Sequence, residues 1–122
     1  MTTRNITSKK IHDTLVHSLV SEYEKKGYSV KADHIGHPNG RPPEVYGCVP
    51  DVAAYKNGRL CIIAEAETCD SISDLDTQRQ WNAFSQSNHH FEVIVPKSCF
   101  DEAKRQASAW SITVDKWWYL DV

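Results

Sequence analysis

Residues 49–67 hold two apolar runs around a tight Asn57-Gly58 turn, with three carboxylates at the far ends of those runs. Pro50-Asp51 opens the first run, Val52-Ala53-Ala54-Tyr55, and the return run, Leu60-Cys61-Ile62-Ile63-Ala64, ends in Glu65-Ala66-Glu67. Two such runs flanking Asn-Gly predict a β-hairpin. Acids set in strands this apolar need protons, hydrogen bonds or a cation to tolerate one another. A hard divalent cation held by oxygen ligands, Mg2+ or Mn2+, meets that need.

Strand alternation places Cys61, Ile63, Glu65 and Glu67 on one face and Leu60, Ile62, Ala64 and Ala66 on the other. On the first strand Asp51 goes with Val49 and Ala53, while Val52 and Ala54 oppose them. The apolar set should pack under a helix, which requires all three acids to share the opposite side. A regular two-residue Asn57-Gly58 turn pairs Asp51 with Ala64 and breaks that agreement. The expectation is therefore an odd-length loop, Lys56-Asn57-Gly58, or a bulge near Pro50.

The rest of the chain frames this hairpin. Ile11, Leu15, Leu19 and Tyr23 recur every four residues, predicting an amphipathic helix over about 8–26 with Gly27 as its left-handed cap. Glu22 and His12 both fall within the arc of that stripe. An acid there points to a purpose, or to a stripe-edge side chain reaching solvent, whereas His12 reads as a satisfied core or boundary histidine. Residues 28–32 alternate and form a first strand. Residues 34–48, with three glycines and three prolines, form a loop long enough to carry function.

Ser73 with Asp76 predicts a helix start running to about Ser87, though Leu75, Trp81, Ala83 and Phe84 make no clean stripe. Phe91–Val95 reads as a buried strand. Ser98 with Asp101 caps a helix whose inward face is Phe100, Ala103, Ala107 and Trp110. Trp117–Leu120 reads as a last short strand or packed tail. The order α-β-β-β-α-β-α-β predicts an α/β fold with a mixed sheet flanked by helices. At 122 residues the chain, 1–122, is one domain.

Composition excludes little. A net charge of −2 argues neither for nor against nucleic acid, so phosphate binding must be local or helped by metal. No apolar run is long enough for a membrane span, and residues 1–5 lack a secretory segment, so a cytoplasmic location is expected. Cys48, Cys61, Cys69 and Cys99 form no CxxC pair, which predicts idle thiols in a reducing compartment. A zinc-binding regulator using cysteine and histidine ranks last.

With Pro50-Asp51, Glu65 fourteen positions on and Glu67 after it, the chain resembles the PD-(D/E)xK nuclease superfamily, the restriction-endonuclease-like proteins that include Holliday junction resolvases. The resemblance covers roughly Ser8 to Val95 and implies an α-β-β-β-α-β nuclease core. It implies a Mg2+- or Mn2+-dependent endonuclease acting on nucleic acid, DNA by expectation, and relatives that act as dimers point to a homodimer. By the same resemblance Asp51 and Glu65 would ligate metal together with the Ala66 carbonyl, and Glu22 would match a first-helix glutamate. Gln80, with Phe84 four residues on, would match a glutamine-plus-aromatic helix motif that orients phosphate or water. Glu67 stands where the family has lysine; it would serve as base or second-metal ligand, with Arg79 the nearest replacement cation, or mark lost catalysis. The alternative is a catalytically inactive nuclease-fold module that binds nucleic acid or a protein partner, with Trp81, Trp117 and Trp118 as its surface.

Overall fold

The computed structural model describes residues 5–122. Residues 1–4, most of the stretch expected to lack a secretory segment, lie outside them. The protein is α/β, with a five-stranded mixed sheet in the order β1-β2-β3-β4-β5 and three α-helices among the described residues. Helix α1 (Ile6–Lys25) starts ahead of Ser8 because Asn5 caps it, accepting the Ser8 N–H at 2.8 Å. Gly27, at φ +88°, supplies the left-handed exit into β1 (Ser29–Ala32).

β1, β2 (Val52–Lys56) and β3 (Arg59–Ala66) form an antiparallel meander. Helix α2 (Leu75–Ser85) then crosses to β4 (His90–Pro96), which runs parallel to β3. A 3-10 turn (Lys97–Cys99) and α3 (Phe100–Ala109) cross to β5 (Lys116–Leu120), parallel to β4. The last segment is thus a full sheet strand rather than a packed tail. Asp74, not Ser73, occupies the N-cap of α2, and no side chain bonds to close that cap.

Two cores flank the sheet. On one side α1 lays Leu15, Val16, Leu19 and Tyr23 over Val52, Ala54, Ile62, Ala64 and Ala66, the apolar set expected under a helix except Leu60, which packs on the other side. On the other side α2 and α3 bring Trp81, Phe84, Ala103 and Ala107 onto Ile63, Phe91, Val93 and Val95. The face of α2 is Thr77, Trp81 and Phe84, a helical spacing hidden in the sequence because Leu75 sits outside it, 80% exposed. Trp81 is fully buried, so it belongs to the core and not to an exposed partner surface.

The hairpin corrects one expectation and keeps another. Its turn has two residues: Lys56 pairs with Arg59, and Asn57 and Gly58 both adopt positive φ, +53° and +75°. That is the primed turn geometry that matches strand twist. The required odd residue sits elsewhere, in a bulge where the partner of Ala54 is Ile62 but that of Tyr55 is Leu60. Cys61 is the extra residue, so the bulge lies near the turn and not near Pro50. One consequence is a swap of faces: Cys61 packs with the α1 core and Leu60 with the opposite one. Beyond the bulge the alternation resumes in the register the acids need.

A second correction concerns the cysteines. Cys69 and Cys99 form a disulfide, while Cys48 and Cys61 are free thiols. No helix among the described residues is long and apolar enough to cross a membrane.

β4 carries one buried acid, Glu92, at 3% exposure. Tyr23 Oη and Trp118 Nε1 both donate to its Oε1, at 2.7 and 2.6 Å. Burial first, and the adjacent Glu92 carboxylate second, push the Tyr23 phenol far above its ordinary value. Above about pH 10 the unfolded chain releases that proton while the fold retains it, so this contribution to stability is lost as pH rises. Tyr23→Phe is expected to flatten the alkaline fall of stability by up to about 1.4 kcal/mol per pH unit. Urea unfolding across the alkaline range reads the slope; an unchanged slope would show that Tyr23 titrates normally.

Candidate active site

At the C-terminal end of β3 the sheet opens into a pocket of about 510 Å3 between the start of α1, the loop after β1 and the start of α2. Asp51, Glu65 and Glu67 all line it, together with Gln80. The three acids are buried, at 6%, 3% and 2% exposure. Because the bulge has restored the strand register, Asp51 and Glu65 face each other across the hairpin and lock together through the backbone. The Asp51 N–H donates to Glu65 Oε1 at 3.0 Å, and the Ala66 N–H donates to Asp51 Oδ2 at 2.9 Å.

Glu67 is held by hydroxyls. Ser71 Oγ donates to Glu67 Oε1 at 2.7 Å, and Thr77 Oγ1 lies 3.4 Å from the same oxygen. Thr77 is in turn aimed by its bond to the Ser71 carbonyl at 2.7 Å. The turn that carries Ser71 continues through Thr68, which bonds Asp70, and Asp70 accepts from Ser8 Oγ on α1 at 2.8 Å. The carboxylate of Glu67 is therefore an oriented acceptor and not a solvated strand-end charge.

Glu22 does not reach this pocket. It lies farther along α1, half-exposed, with Lys25 Nζ 3.8 Å from its carboxylate. The helix residue that meets the acids is His12, 4% exposed, whose Nε2 is 3.2 Å from Asp51 Oδ2. His34, from the loop after β1, approaches the other side of Asp51, with Nε2 3.5 Å from Oδ1. The two imidazoles meet edge to face at 5.3 Å between ring centres. His34 has φ +74°, a conformation rare outside glycine, and only the assembled loop directs it here. Helix periodicity placed His12 on the buried side; its contact with Asp51 depends on how α1 crosses the sheet.

The rim cations are matched to rim acids. Lys9 pairs with Asp13 at 2.9 Å, Arg41 with Asp33 at 3.7 Å and Arg79 with Asp76 at 3.7 Å. Burial alone would raise the Asp13 carboxyl, but the hydrogen bonds and charges of Lys9 and His12 together hold it below its ordinary value. Arg79, the sequence candidate for the missing base, does line the pocket, and its Nη1 also reaches Cys48 Sγ at 3.3 Å.

Carboxylate oxygens and a strand carbonyl are the donors that Mg2+ and Mn2+ prefer, and Asp51, Glu65 and Ala66 offer that chemistry within one hairpin end. Among the described residues, no three His, Cys, Asp or Glu side chains are grouped to hold a metal ion. The fit is thus one of donor type and neighbourhood. The chain matches no family model, no curated protein and no solved structure.

Proposed function

We propose that the protein is a metal-dependent nuclease that hydrolyses phosphodiester bonds of nucleic acid, with DNA the expected substrate, on a restriction-endonuclease-like core. The observation that carries this reading is the Asp51–Glu65 pair, joined by Asp51 N–H to Glu65 Oε1 and Ala66 N–H to Asp51 Oδ2 at 3.0 and 2.9 Å, and buried at the floor of an open pocket. The antiparallel meander followed by a helix and a parallel strand supports the same reading. It is the element order that the PD-(D/E)xK resemblance implies.

Asp51, Glu65 and the Ala66 carbonyl would hold Mg2+ or Mn2+, which supplies charge neutralisation on the scissile phosphate and a more acidic water. The protein's own groups do the remaining work. Glu67, fixed by Ser71 and Thr77, presents a carboxylate that accepts a proton from water as general base. Gln80 orients the phosphate from the middle of α2. His12 holds Asp51 in place, from the helix on which Glu22 was expected to supply a metal ligand.

The ion pairing of Lys9, Arg41 and Arg79 with rim acids favours a second reading, a nuclease-fold module that binds nucleic acid or a protein partner without cutting. Incubation of supercoiled and branched DNA with Mg2+ or Mn2+ separates the two. Cleavage that stops with chelator and falls by at least about 100-fold in Glu65→Gln is expected, since even residues supporting metal ligands are worth 10–100-fold. Metal binding without cleavage would leave the module reading standing.

A further inference from the structure

A second cavity, of about 390 Å3, opens at the other end of α1, over the part of β4 and β5 that this helix leaves uncovered. His12 and Tyr23 mark the two cavities on one helix and are about 16 Å apart along its axis. The two cavities are opposite in charge character. Where the first gathers acids, the second is lined by two ammonium groups, Lys26 from the C-cap of α1 and Lys116 from β5, while Lys56 of β2 stands outside the lining, its Nζ 3.3 Å from the Lys26 carbonyl oxygen. Lys26 Nζ and Lys116 Nζ lie 5.0 and 4.0 Å from the centre of the Trp118 ring, and Lys56 Nζ lies 4.5 Å from that of Tyr28. All three lysines are exposed, and none is ion-paired with a carboxylate among the described residues.

The aromatic floor is fixed before any ligand arrives. The Trp118 indole N–H is tied to the buried Glu92 at 2.6 Å, and Tyr23 packs edge-on against the same ring, 6.3 Å between centres. Glu92 is the one buried negative charge here, and His90 Nε2 covers its Oε2 at 3.0 Å. A ring held rigidly at a half-open surface costs little conformational entropy to use.

We propose that this cavity is a second ligand site that takes a nucleotide unit, its base stacked on Trp118 and its phosphate held between Lys26 and Lys116. Each feature answers one part of such a ligand. The flat ring offers a sequence-tolerant stacking platform. Base stacking is worth more than an exposed cation–π contact, so an incoming base displaces an ammonium group from the ring and frees it to meet the phosphate. The two lining cations, at the C-cap of α1 and in β5, attract an anion that the acid-rich pocket at the far end would repel without metal. The site extends the nuclease reading without resting on it, because nucleotide binding here needs no divalent ion.

The test is calorimetry in chelator with dAMP, deoxyadenosine, inorganic phosphate and a short oligothymidylate. The wild-type protein is expected to bind dAMP more tightly than either deoxyadenosine or phosphate. The double variant Lys26→Ala/Lys116→Ala, changed only at exposed side chains, should lose roughly tenfold or more in affinity, the scale of one charge-assisted contact. Asp51→Asn should bind dAMP as the wild type does, which keeps a failure of this site distinct from a failure of the acid pocket. Tighter binding of the oligothymidylate assigns the site to a nucleic-acid strand, and equal binding to a free nucleotide. Phosphate binding as tightly as dAMP, or an unchanged double variant, would overturn the proposal. So would a dimer in sedimentation that Trp118→Ala dissociates.

Discussion

Asp51→Asn is expected to abolish the thermal stabilisation that Mn2+ confers on the wild-type protein. A ligand at 100 times its dissociation constant stabilises a fold by about 2.7 kcal/mol, which for a domain of this size is a rise of about 10 °C. Asparagine keeps the shape of the side chain and an oxygen to accept the Ala66 N–H, which Asp51 Oδ2 holds at 2.9 Å. The hairpin end and its packing therefore survive, and the change removes charge rather than structure. What is lost is the anionic oxygen that a hard cation requires. Differential scanning calorimetry of both proteins with and without Mn2+ reads the effect. An equal rise in the two would remove Asp51 from the metal site and leave Glu65 and Glu67 to be tested alone.

Reduction of the Cys69–Cys99 bridge should destabilise the protein by about 3 kcal/mol, lowering the melting temperature by about 12 °C. The bridge spans 30 positions, so cutting it restores considerable freedom to the unfolded chain. It also joins two structurally linked places: the turn after β3 and the 3-10 turn after β4, the ends of neighbouring parallel strands. The first of these carries Ser71, whose hydroxyl orients Glu67. Loss of the bridge is therefore expected to loosen Glu67 as well as the fold. Melting curves with and without a phosphine reductant, beside a Cys69→Ser/Cys99→Ser double variant, measure the stability term. Superimposable curves would show that the bridge contributes nothing.

The disulfide also shows where sequence reading stops. Cys69 and Cys99 lie in different elements with no pairing motif, and their meeting depends on β3 and β4 lying side by side. The bulge at Cys61 is a similar case. Hydrophobic alternation demanded one odd residue between the acid-bearing ends of the hairpin, yet could not place it. The turn took the two-residue form favoured by Asn57-Gly58, and the extra residue moved into the strand.

Residue by residue, the candidate site divides along the same line. Asp51, Glu65 and Glu67 were legible because they interrupt apolar strands, and period-two geometry says which side they share. Gln80 was legible only through the family resemblance, and it lines the pocket. Glu22 lies elsewhere, paired with Lys25, since an arc on a helix defines an angle and not a position along the axis. His12 and His34 escaped for the complementary reason. One was read as a core residue, and the other sat in a loop with no periodicity to interpret.

Local patterning by itself determined the order of helices and strands, the apolar face of α1, the hairpin faces beyond the bulge and the gathering of three acids at one hairpin end. These depend on neighbours a few positions apart, where backbone geometry is almost fully dictated by residue type. Tertiary packing alone decided which helix side chain meets Asp51, which cysteines join, where the bulge falls and that a basic aromatic cavity forms opposite the acid pocket. All but the bulge join residues far apart in the chain, and the free energy of such contacts is set by how whole layers pack, which no short stretch of sequence contains.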